Sequence, residues 1–83
     1  MFLEKLLALK LKKNNFYIMR YLKFIESRTS LVGHKHHILP KAKDFFPEFR
    51  NLKEHNWNLK ILTTREHFIA HKLLNLAFPG SSQ

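Results

Sequence analysis

Leu3, Leu7 and Leu11 recur at helical spacing with lysines on the other faces, which predicts a short amphipathic helix over residues 2 to 13, broken by Asn14-Asn15. From Phe16 to Ser27 the apolar positions Ile18, Tyr21, Leu22 and Ile25 fall at i, i+3, i+4 and i+7, while Arg20, Lys23 and Glu26 lie off the stripe. This predicts a second helix with one face on a core. Beyond Arg28-Thr29-Ser30 the period shortens. Leu31 to Leu39 carries Val32, Ile38 and Leu39 around Gly33 and ends at Pro40, as a short edge strand would. Lys41 to Trp57 has no sustained period and exceeds the ~12 to 15 residues usual for a structureless loop, so a helical turn is expected around Ala42 to Phe46. Asn58 to Thr63 reads as a second short strand. Thr63-Thr64-Arg65-Glu66 is a capping box, predicting a helix that begins at Thr64, runs through Ala77 and stops before Pro79-Gly80.

The expected fold class is therefore α+β: a helical segment over residues 1–30 followed by a ββα unit over 31–83, together one compact domain. With 83 residues, 45% of them hydrophobic and eight of them Phe, the chain can build a core. A domain of this length still buries only ~60% of its unfolded surface, so a further source of stability is expected. The absence of Cys excludes disulfides, thiolate zinc sites and a thiol nucleophile, leaving His and oxygen as candidate metal ligands. Fifteen Lys and Arg against six Asp and Glu give a net charge of +9, which favours polyanionic partners. A membrane span needs ~20 largely apolar residues, and the most apolar opening stretch, Phe2 to Leu11, already holds Glu4, Lys5 and Lys10. Neither a span nor a secretory signal is expected, and the chain reads as intracellular.

Five of the six histidines fall in two tight clusters. His67 and His71, four apart on the predicted helix, share one face with Cβ atoms ~5 to 6 Å apart, so both imidazoles can reach one metal ion. Alone, such a pair is more often two surface or boundary histidines. His34, His36 and His37 on the neighbouring element supply the further imidazoles that a hydrolytic metal centre with an open position requires.

These residues resemble a known family. His36-His37-Ile38 and Pro40, then Asn58-Leu59 and Leu62-Thr63, then Glu66-His67 and Ala70-His71, look like the HNH endonuclease motif, with Asn58 as the middle letter. The likeness covers roughly residues 31 to 77 and extends loosely to Tyr21-Leu22-Lys23-Phe24-Ile25, a helix often preceding the motif in phage-type HNH proteins. The intervals from Asn58 to His67 and from His67 to His71 resemble those in colicin DNase domains. The resemblance implies a ββα-metal fold in which His36, His67 and His71 hold one divalent cation (Zn, Ni, Mg or Mn), His37 is the general base, and Asn58 pins the long loop. In some relatives the residue matching Asn58 touches the metal instead. It also implies DNA as substrate, products with 5′-phosphate and 3′-hydroxyl ends, and a phage-encoded protein in a bacterial host. General chemistry agrees, because neutral imidazole, with an ordinary pKa near 6.5, can take a proton from water at neutral pH.

His36 and His37 are adjacent, and adjacent strand residues point to opposite faces, so a twist or bulge near Pro40 is expected to bring them together. The same alternation gives His34 the face of His36, as a substitute ligand, a phosphate contact or an exposed strand residue. Lys35, Lys41, Lys43 and Arg65 are the expected DNA phosphate contacts, with Arg65 in the first helical turn as the clamp. Trp57, Phe45, Phe46 and Phe49 are expected in the core rather than stacked on bases, and His55 on the surface. The alternative reading is a non-catalytic ββα module that binds DNA with a structural metal or none, or a fragment of a larger homing endonuclease. Residue 37 separates these, because a structural site has no use for a base.

Overall fold

Asn14 caps the first long helix by accepting a hydrogen bond from Tyr17 N at 3.3 Å. In the computed structural model, which describes residues 1–81, the elements are α1 (Phe2–Leu7), α2 (Asn15–Ser27), β1 (His34–His37), β2 (Leu59–Leu62) and α3 (Thr64–Ala77). The last two positions of the expected 31–83 unit lie outside the described residues. The fold is α+β, with three helices and a two-stranded antiparallel sheet, and its C-terminal half runs strand, loop, strand, helix. Among the described residues no helix is long and apolar enough to cross a membrane.

The first helix is shorter than its pattern predicts, ending at Leu7 instead of residue 13. Lys10, Lys12 and Lys13 crowd like charges onto what would be its last turns. Tertiary ties then take over: Asn14 N donates to Ala77 O at 2.7 Å, fastening the entrance of α2 to the exit of α3. Leu6 is the buried residue of α1, while Leu3 and Leu11 pack at the core margin and Leu7 is exposed. The second helix follows its stripe closely, with Ile18, Tyr21 and Ile25 buried.

β1 and β2 pair in unbroken register, His34 with Leu62 through His37 with Leu59. The strand predicted from Leu31 thus starts only at His34, and Leu31 and Val32 stand 92% and 85% exposed. Gly33 explains the late start, because the chain passes so close to β2 there that a Cβ would collide with the Leu62 carbonyl. Past His37 one more bond in the same register, Ile38 N to Asn58 O at 2.9 Å, closes the pairing, and Pro40 O accepts from Phe46 N. The second strand is also trimmed, from 58–63 to Leu59–Leu62, since Asn58 closes a 3₁₀ turn over Asn56–Asn58. The turn expected near Ala42 exists, with Phe45 N donating to Ala42 O at 2.9 Å, and a 3₁₀ turn that the pattern did not indicate follows at Pro47–Phe49.

α3 begins and ends where its signals place it. Thr63 Oγ1 accepts from Glu66 N at 3.1 Å, and Glu66 Oε1 accepts from Thr63 N at 2.8 Å. Its face carrying Ala70, Leu74 and Ala77 packs along α2 over Leu39, Leu62 and Phe78. Phe45 and Phe46 are buried, Phe45 edge-on to Phe78. Phe49 and Trp57 pack against the core margin, and His55, expected on the surface, is half-buried edge-on to both.

Candidate metal centre

One turn of α3 separates His67 from His71, and their Nε2 atoms stand 3.1 Å apart. Strand alternation turns His36 of β1 towards them and leaves it 2% exposed. Its ring centroid lies 5.1 Å from that of His67 and 5.3 Å from that of His71. One ring nitrogen from each of the three lies within 4.8 Å of the others, so His36, His67 and His71 can hold one metal ion. Nitrogens on a tetrahedral ion at ~2.0 to 2.1 Å stand ~3.3 Å apart. The His67–His71 pair already has that spacing, and the widest separation exceeds it by at most ~1.5 Å, within reach of side-chain rotation.

Electrostatics favours lone pairs over protons here. Burial, then the neighbouring His71, His67 and His37, push His36 down to about 3. Burial also lowers His67, helped by His71 and His34. Both imidazoles are neutral at neutral pH, the state a metal requires. Two further side chains contact them. Tyr21 Oη lies 2.7 Å from His36 Nε2. His34, although exposed, sets its Nδ1 3.0 Å from His67 Nδ1 and its Nε2 3.3 Å from Thr64 Oγ1. His34 is thus an exposed strand residue, one of the readings expected for it, and it also contacts a candidate ligand.

His37 is half-buried at the end of β1, where its Nε2–H donates to the Arg50 carbonyl at 2.8 Å. A carbonyl only accepts, so Nε2 carries a proton, and in the neutral ring the lone pair is then on Nδ1. His37 and the three clustered histidines line one cavity of about 330 Å³, together with Lys35 and Lys41. The expected bulge is absent: the β1–β2 register is unbroken, and His36 and His37 nonetheless both line the cavity at the end of the strand.

Asn58 is fully buried, and its amide ties the long loop to the strand end. Its Oδ1 accepts from Leu39 N at 2.7 Å, and its Nδ2 donates to Leu39 O at 3.1 Å and Phe49 O at 3.4 Å. Of the expected phosphate contacts, all are exposed, Lys35 and Lys41 at the cavity and Lys43 and Arg65 outside its lining. The sequence pattern did not indicate Tyr21 or the Arg50 carbonyl as parts of the site, nor the contact of His34 with His67. A tyrosine within an otherwise aliphatic stripe was the available signal for the first, because a buried phenol needs a polar partner. Comparisons with protein-family models, curated proteins and solved structures return no match, so the functional reading rests on the chemistry of these side chains.

Proposed function

We propose that the protein is a metal-dependent DNA endonuclease of the HNH type. The observation that carries this reading is a single cavity holding both a three-imidazole cluster and a fourth imidazole, His37, whose proton is committed to Arg50 O. A structural metal site explains the cluster and makes no chemical use of the imidazole beside it.

In this reading His36, His67 and His71 hold the divalent ion. Bound there, the ion would supply Lewis-acid stabilisation of charge on the phosphate and the departing 3′ oxygen. His37 takes the proton from the attacking water at Nδ1, and the Arg50 carbonyl stabilises the positive charge that the ring then gains. Lys35 and Lys41 at the cavity bring the phosphodiester backbone to it, with Lys43 and Arg65 extending the contact by charge alone. Asn58 acts by structure, holding the strand end and the loop that carries Arg50.

Incubation of the purified chain with supercoiled plasmid, in Mg²⁺, Mn²⁺, Zn²⁺ or Ni²⁺ and in chelator, tests the proposal. Nicked and linear products in at least one cation and none in chelator are expected. Intact plasmid under every condition would leave the non-catalytic DNA-binding module as the better reading.

A further inference from the structure

Tyr21 reaches the metal centre from α2, the helix outside the ββα unit. Its side chain is fully buried, and Oη has two partners at 2.7 Å, His36 Nε2 and the Ile38 carbonyl. The phenol carries one proton. A carbonyl oxygen can only accept, so a 2.7 Å contact with Ile38 O consumes that proton. The contact with His36 must then be made by a proton on Nε2, donated to Tyr21 Oη. A neutral imidazole with its proton on Nε2 has its lone pair on Nδ1.

We propose that Tyr21 is the positioning residue that fixes His36 as an Nδ1 donor to the three-histidine site. The inference rests on the metal reading of that site and adds to it a residue from the N-terminal helical segment. Orientation is fixed from both ends: Ile38 O, which receives the phenolic proton, belongs to the residue whose N–H is held by Asn58 O at 2.9 Å. Tyr21 thus links His36 to the backbone of Ile38, a residue itself held against Asn58 by its N–H. Partners of this kind, bonded to the non-ligating nitrogen, hold the tautomer and ring angle of metal-binding histidines. With Tyr21 fully buried, solvent has no ready route to replace its hydroxyl. In Tyr21→Phe, Ile38 O and His36 Nε2 lose their partner and His36 is released to protonate on Nδ1.

Long-range ¹H–¹⁵N spectra of the histidine rings in the ion-free full chain test this directly, paired with calorimetric Zn²⁺ titrations. His36 is expected as the Nε2–H tautomer in the wild type, and Tyr21→Phe is expected to lose that single tautomer and bind Zn²⁺ ~10- to 100-fold more weakly. Ile25→Val, a core change on the same helix, controls for stability and should keep wild-type affinity. An Nδ1–H wild-type His36, or unchanged tautomer and affinity in Tyr21→Phe, would overturn the assignment. If Tyr21→Phe fails to fold, the wild-type tautomer decides by itself. A wild type that binds no Zn²⁺ removes the metal site and the ligand role together, whereas an Nδ1–H His36 in a Zn²⁺-binding protein removes only the role of Tyr21.

Discussion

Asn58 and His36 are the buried polar side chains of the described core, and each is hydrogen-bonded. The two differ in what their partners demand. Asn58 satisfies both the N–H and the carbonyl of Leu39, backbone groups that sit where the strand has ended and no ladder partner remains. Removing the amide strands both in an apolar setting. Asn58→Ala is therefore expected to cost about 2 to 4 kcal/mol in urea unfolding, and an unchanged midpoint would show that the loop is anchored by other contacts. His36 instead meets a phenol and two imidazoles, and its own protonation is suppressed.

At the scale of elements, legibility followed locality. α3 was readable because each of its signals lies within a few residues of where it acts: the Thr63 to Glu66 box, the apolar period and the Pro79-Gly80 stop. Glu66 also reaches beyond its box, accepting from Ser30 Oγ at 2.8 Å and facing Arg28 Nη1 at 3.7 Å, so one carboxylate ties the approach to β1 to the start of α3. The Thr63 and Ser30 hydrogen bonds, with Arg28 behind them, hold it below the usual carboxylate range. Thr63→Ala should remove the cap and lower stability by about 1 kcal/mol, read as a fall in melting temperature with the fold retained by circular dichroism. The ends of β1 were not readable, because Leu31 and Val32 look like strand until the close approach of Gly33 to Leu62 is known. The overrun of α1 is different in kind, because the like charges of Lys10, Lys12 and Lys13 were in view and the apolar period was followed past them. Within the site, the two histidine clusters were visible as spacing. The Tyr21 to His36 bond and the Arg50 carbonyl on His37 join positions distant in sequence, so only the fold brings them together.

For the whole molecule, a small core and a net charge of +9 leave stability open to pH and to bound ions. Unfolded, His36 takes a proton near its ordinary value of 6.5, but folded only near about 3. Between these values the unfolded chain binds the extra proton, so this contribution is complete above pH 6.5 and drains away as pH falls towards 3. Ion-free protein should lose about 2 kcal/mol from His36 by pH 5, with His67 shifted in the same direction. Melting curves at pH 7.5 and pH 5 check this, and equal midpoints would contradict it. The central claim is that three imidazoles hold the ion while the fourth handles the proton. Its most direct test is the single-turnover plasmid cleavage rate of His37→Ala, with Zn²⁺ occupancy measured on the same sample and His71→Ala beside it. The expected result is full ion occupancy with a rate reduced ~10²- to 10⁴-fold in His37→Ala, and weakened ion binding in His71→Ala. A wild-type rate in His37→Ala, or equal loss of ion from the two variants, would contradict it.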